Sequence, residues 1–172
     1  MNNFTFLRFR KISLIKCILF FLVIGNTAFS QTTALTVSGE VETPLDLKLE
    51  DLFAFKQITE KVTDRDGKEH EFSGVALVDI LSKAGVTLGA KLRGENLVKY
   101  VLITAADGYE VVYALAEIDP EFTDQIVLLA TQKDGKPLGT GEGPLRIVAG
   151  KDKKPARWIR EVRSVKVLFA KN

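Results

Sequence analysis

Phe72-Ser73-Gly74-Val75-Ala76-Leu77-Val78-Asp79-Ile80-Leu81-Ser82-Lys83-Ala84-Gly85-Val86 is where the hydrophobic pattern of this chain changes from one kind of element to another. Leu77, Ile80, Leu81 and Ala84 fall at helical spacing on one face, with Asp79 and Lys83 as an i,i+4 pair beside it. Gly85 ends the helix, because a residue without Cβ takes the left-handed terminating conformation at little cost. Immediately upstream, Gln57 to Thr63 and Lys68 to Phe72 flank Asp66-Gly67, a dipeptide that tolerates positive φ, and the three together predict a β-hairpin. A hairpin feeding a short helix sets the style of the chain.

Working outward, Leu35 to Val41 reads as a strand and Leu49 to Phe53 as a short helix with Glu50 and Asp51 near its positive end. Downstream, Val98 to Thr104 is apolar on both faces apart from Lys99, which predicts a central strand covered on both sides. Asp107-Gly108 turns the chain into a neighbouring strand, Tyr109 to Tyr113, and Ala114 to Ile118 forms a helical turn stopped by Asp119-Pro120. Ile126 to Ala130 is a further buried strand, and Asp134-Gly135 a second tight turn. A flexible glycine-rich loop, Gly139 to Pro144, then leads into the strand Leu145 to Val148, and Val162 to Phe169 alternates as the last strand. No repeat or linker interrupts this order, so the expectation is a single α+β domain with a mixed sheet, rich in strands and with short helices.

The first 30 residues differ in kind. They carry Arg8, Arg10, Lys11 and Lys16, no acid, and an apolar stretch, Cys17 to Ile24, too short to span a bilayer. Small residues at Ala28 and Ser30 place a signal-peptidase cut before Gln31. The reading is a Sec-type signal peptide over residues 1–30 and a domain over 31–172, exported to the periplasm or secreted, with no stable membrane anchor after cleavage. The competing readings are an uncleaved anchor and a lipoprotein, the latter opposed by Lys16 directly before Cys17. Removing the segment takes four of the 24 Lys and Arg and none of the 22 Asp and Glu, so the remainder has 20 basic against 22 acidic residues and a net charge of −2. Such a domain has no global electrostatic reason to bind nucleic acid. It also has no cysteine, hence no disulfide, thiolate ligand or thiol nucleophile. His70, the one histidine, cannot build a metal centre alone and reads as an exposed residue in a charged run.

The order of motifs carries a resemblance. Phe72-Ser73-Gly74-Val75-Ala76-Leu77, Asp79-Ile80-Leu81, Ala84-Gly85-Val86, Ala106-Asp107-Gly108-Tyr109, Leu129-Ala130, Asp134-Gly135-Lys136-Pro137-Leu138, Gly143-Pro144-Leu145-Arg146-Ile147-Val148 and Ala156-Arg157-Trp158-Ile159 followed by Val162 together resemble the molybdopterin-binding domain of the sulfite oxidase family. The resemblance spans roughly residues 36–169 and rests on order and spacing, since no single motif is specific. It implies that family's fold and an oxidoreductase ancestry: a molybdenum held by a pterin dithiolene and one protein cysteine, which moves an oxygen atom and two electrons. In the family that cysteine lies just before the Gly-Val-x-Leu helix. Here the corresponding stretch, Thr59 to Lys68, contains none. The resemblance also implies export by a twin-arginine signal for folded, metal-loaded members, whereas Arg8-Phe9-Arg10 lacks the adjacent pair.

What this leaves is a candidate anion site. Eight basic residues, Arg146, Lys151, Lys153, Lys154, Arg157, Arg160, Arg163 and Lys166, face only Asp152 and Glu161 in the same stretch. Guanidinium groups grip phosphate in bidentate fashion, and the N–H groups of a glycine loop make an anion-binding concavity. The resemblance places a pterin between the segments of Tyr109 and Arg146, so the candidate cofactor-binding residues are Tyr109, Gly143, Arg146 and Arg157, with no catalytic residue and no metal ligand assigned. A solvated basic face is the competing reading, and Trp158 is either a stacking platform or core. Two functions follow. One is an exported, non-catalytic module for a pterin, without molybdenum, for another small anion, or for an envelope protein partner. The other is a molybdopterin-dependent oxidoreductase with an unusual oxygen ligand such as Thr63 or Asp64, or with a cofactor held by non-covalent contacts alone. The export reading makes a direct prediction: protein taken from its native envelope begins at or near Gln31, and mass spectrometry that recovers peptides from residues 10–30 of that protein contradicts it.

Overall fold

The computed structural model describes residues 33–170, so the signal-peptide reading lies outside the described residues. Among the described residues, ten strands form two sheets. The first runs in the order β2 (Leu45–Leu47), β1 (Leu35–Gly39), β10 (Val162–Phe169), β5 (Lys99–Ala105) and β6 (Glu110–Ala114). It is mixed, because β1 lies parallel to β10 while the other pairs are antiparallel. The second is antiparallel and holds β3 (Gln57–Thr63), β4 (Glu69–Ala76), β7 (Val127–Lys133) and β8 (Lys136–Pro137), with β9 (Arg146–Ala149) pairing on β7.

The decisive stretch folds as its pattern dictates. β4 continues through Ala76 directly into helix α2 (Leu77–Lys83), which follows the short α1 (Leu49–Leu52). Leu77, Ile80, Leu81 and Ala84 are all inaccessible to solvent. The helix closes with Val86 N–H donating to Leu81 C=O and Gly85 N–H to Ser82 C=O, the double bond of a Schellman ending, with Gly85 at φ +73°. Glycine is required at Gly74 for a different reason. A Cβ there would lie 2.1 Å from the Leu129 carbonyl oxygen, so β4 and β7 approach closely only because that atom is missing.

The buried faces of both sheets and of α2 join in one core, from Leu35 and Val37 on β1 through Val101 and Ile103 on β5 to Leu128, Leu129 and Ile147 on β7 and β9. β7 is buried on both faces from Val127 to Thr131, as its composition predicts. β5 is not. Its residues alternate between buried and half-buried, so only one face is fully covered, and the outer face keeps partial contact with water. Lys99 is nevertheless buried, because its ammonium donates to Thr87 Oγ1 at 3.0 Å and stacks over the Phe169 ring at 4.7 Å. Among the described residues, no helix is long and apolar enough to cross a membrane.

The two sheets are stitched where the candidate site lies. Ile147 N–H donates to Ile159 C=O and Val162 N–H to Leu145 C=O, which ties β9 of one sheet to the entry of β10 in the other. The loop before β9 is ordered by its own bonds, with Glu142 and Gly143 N–H both donating to Gly139 C=O. Its glycines therefore make a folded turn instead of the flexible loop their composition suggests.

Candidate functional site

Arg146 opens β9, paired in register with Ala130 on β7, and its side chain points into the protein with no accessible surface. The guanidinium lies 5.0 Å from the Phe72 ring and 5.9 Å from the Trp158 ring. A charge so placed needs a counter-charge, since an unpaired ion in the interior costs many kcal/mol. Asp64 supplies it. The hairpin of β3 and β4 carries Asp64 inward, and its Oδ1 and Oδ2 accept from Arg146 Nη2 and Nη1 at 2.5 and 3.0 Å. Lys133, at the end of β7, donates to the same Oδ2 at 2.8 Å, and the Arg65 N–H donates to Oδ1 at 2.7 Å. Glu142 from the glycine loop accepts from Arg146 Nη1 and from Arg160 Nη2, both at 3.2 Å. Burial alone would raise the Asp64 carboxyl, but the hydrogen bonds from Arg146, Lys133 and the Arg65 backbone outweigh it and hold the group well below the usual carboxylate range.

Arg157 belongs to a second, separate cluster. Its Nε and Nη2 donate to the two oxygens of Asp152 at 3.1 and 2.7 Å, and Nη1 donates to Glu117 at 3.0 Å. The guanidinium lies 4.2 Å from the Tyr113 ring, whose hydroxyl donates back to the Arg157 carbonyl. This arrangement pins the 3-10 turn Pro155–Arg157 to β6 and to the 3-10 turn Leu115–Glu117.

The four residues expected to bind a cofactor are thus not brought together. Tyr109 does line a cavity of about 310 Å³, and is exposed there. The arginines beside it, however, are Arg65 and Arg160, in place of Arg146 and Arg157. Gly143 spends its N–H on Gly139 and is pressed against the Leu138 backbone, where a Cβ would lie 2.7 Å from a carbonyl oxygen; Gly141 lines the cavity instead. Arg65 also lines a second cavity of about 490 Å³ with Thr63, Asp64, Gly150, Asp152, Lys153 and Trp158, and its Nη2 donates to Pro155 C=O at 3.0 Å between the two. Trp158 is core, 2% exposed, with its Nε1 donating to Ala149 C=O at 3.1 Å. The run of basic residues is consequently no uniform positive face, since its three best-placed arginines are neutralised by carboxylates. Spacing could reveal only part of this: Asp152 and Glu142 are near in sequence, but Asp64 and Glu117 come from distant segments.

Comparison with known proteins agrees with the architecture. The family model described as the oxidoreductase molybdopterin binding domain matches residues 25–170. The chain belongs to that family. The crystal structure of the sulfane dehydrogenase SoxCD from Paracoccus pantotrophus is similar, with a TM-score of 0.63 and 22% sequence identity over 80% of this chain. At that identity the likeness concerns the fold, and the match spans 38% of the SoxCD chain. No curated protein matches the sequence.

The Asp64 cluster predicts a specific stability profile. Asp64→Asn removes one partner of a buried pair and should destabilise the protein by about 3–5 kcal/mol at pH 7. Because the carboxyl is depressed in the folded state, its contribution is full above the unfolded pKa of ~3.9 and is lost only as pH falls through the lower folded value. Urea unfolding at pH 7 and pH 5 should show the same gap between wild type and variant, narrowing in stronger acid; equal stability at pH 7 contradicts the assignment.

Proposed function

We propose that the protein is an exported member of this family that keeps the molybdopterin-binding fold as a binding module and does not carry out molybdenum redox chemistry. The observation that carries this reading is the commitment of Asp64. In the hairpin where the family is expected to hold its thiolate, the inward-facing side chain is a carboxylate whose two oxygens are engaged by Arg146 and Lys133. A soft thiolate is the ligand suited to that metal, and an oxygen donor already bound by two cations is a poor replacement. The one cysteine of the sequence, Cys17, is not among residues 57–76 of this hairpin. This engagement of Asp64 supports the non-redox reading over an oxidoreductase that ligates its metal through Asp64.

The two cavities flanking Arg65 suit a small polar ligand. Three cations, Arg65, Arg160 and Lys153, stand against four carboxylates, Asp64, Asp107, Asp152 and Glu161. Such a lining favours a polar ring with both donors and acceptors, stacked on Tyr109, over a strongly charged anion. A pterin has that chemistry. The reading predicts that protein purified from its own envelope carries far less than one molybdenum per chain and does not oxidise sulfite, and that a fluorescent pterin binds wild type but binds Tyr109→Ala and Arg65→Ala at least ten-fold more weakly. Elemental analysis giving about one molybdenum per chain together with sulfite oxidation overturns it.

A further inference from the structure

We propose that His70 is a proton-operated clasp that fastens two hairpin turns together at the edge of the cleft. His70 lies on β4, and its two ring nitrogens reach carboxylates from different turns. Nδ1 is 2.7 Å from Asp134 Oδ2, in the turn between β7 and β8, and Nε2 is 2.9 Å from Asp66 Oδ2, in the turn between β3 and β4. Ionised carboxylates only accept hydrogen bonds, and a neutral imidazole has one donor and one acceptor. Both contacts can be hydrogen bonds together only when both nitrogens carry protons, so the geometry selects the imidazolium.

The carboxylates are held in place without the histidine. Asp134 Oδ1 accepts from Glu71 N–H at 3.0 Å while Asp134 N–H donates to Glu71 C=O at 2.7 Å, and Asp66 Oδ1 accepts from Lys68 N–H at 3.0 Å. The site is therefore prepared for a cation. Among the groups facing His70, Lys133 on β7 opposes its charge, but that ammonium is turned to Asp64 at 2.8 Å and lies over the Phe72 ring. β3 presents uncharged Val62 opposite His70 in register. The hydrogen bonds that His70 donates to Asp66 and then to Asp134 raise its pKa above the ordinary value; His70 lowers the Asp66 carboxyl, and the Glu71 N–H and then His70 lower that of Asp134.

The sign of the effect follows. A raised histidine pKa contributes stability that is complete below the unfolded value of ~6.5 and is lost as pH rises through the folded value. The two depressed carboxyls contribute above their unfolded values and lose their contribution in acid. The clasp is closed in the window between them. On deprotonation, one nitrogen presents a lone pair to a carboxylate oxygen and that contact opens. The turn it releases lies next to Asp64 and Arg65 on one side or to Lys133 on the other, so proton loss loosens the cleft edge whatever the cleft binds.

The chain has a single histidine, so its imidazole gives an unambiguous nitrogen NMR signal in tag-free protein. We expect both nitrogens protonated at pH 6, a midpoint above the ordinary value of ~6.5, and a lower midpoint in each of Asp66→Asn and Asp134→Asn. Amide exchange, corrected for intrinsic pH dependence, should quicken several-fold at residues 66–71 and 133–136 as pH passes that midpoint in wild type and stay flat in His70→Gln. A midpoint at or below the reference value, a midpoint unmoved in both Asn variants, or equal pH dependence of turn exchange in wild type and His70→Gln overturns the clasp.

Discussion

The paired charges of Arg146 and Asp64 are the constraint on which the site region depends. Arg146 begins a strand whose residues are all buried, between an aromatic from β4 and an aromatic from the loop before β10. It cannot reach solvent there. The fold must bring a carboxylate to it, and the β3–β4 hairpin does so with Asp64, 82 residues away in sequence. Once the pair forms, it draws in Lys133 from β7 and, through Glu142, Arg160 from the segment that enters β10. One ionic cluster thus ties the hairpin, the central strands of the second sheet and the glycine loop. Arg146 Nε is left buried without a partner, a cost the cation–aromatic contacts offset in part.

That cluster also explains the shape of the neighbouring cleft. With Asp64 turned inward, Arg65 turns outward and crosses to the Pro155 carbonyl, dividing the space between hairpin and loops into two cavities. Arg157 works in the same way at the far side, where Asp152 and Glu117 use up its donors and blunt the free edge of β6. Of the eight basic residues from Arg146 to Lys166, three, Arg146, Arg157 and Arg160, are thereby engaged by carboxylates, while Lys151, Lys153, Lys154, Arg163 and Lys166 stay exposed, and the cleft lining is not strongly cationic.

Most of the fold was legible because it depends on local rules. The face of Leu77, Ile80, Leu81 and Ala84, the left-handed Gly85 and the turns at Asp66-Gly67 and Asp134-Gly135 are each decided within a few residues, and the structure has them all. The family resemblance was readable for a related reason, since it rests on the order of such local motifs. β5 was less legible: apolar residues on both faces suggest full burial, yet the sheet leaves one face only partly covered. The site was read least well. Arg146 and Arg157 look like free cations in sequence because their carboxylates lie outside the local stretch or face them through folding. His70 likewise reads as an isolated surface residue until two turns close around it, leaving its side chain 17% exposed.

The central claim is that Asp64 and Arg146 satisfy each other's charge at the end of the β3–β4 hairpin. A double-mutant cycle on Asp64→Asn and Arg146→Met, read by urea unfolding of wild type, both single variants and the double variant, measures that relation directly. A buried, doubly hydrogen-bonded pair predicts a coupling energy of about 2 kcal/mol or more, with the double variant less destabilised than the sum of the singles. Additive losses, agreeing to within about 0.5 kcal/mol, would mean that the two charges do not depend on each other and would contradict the account.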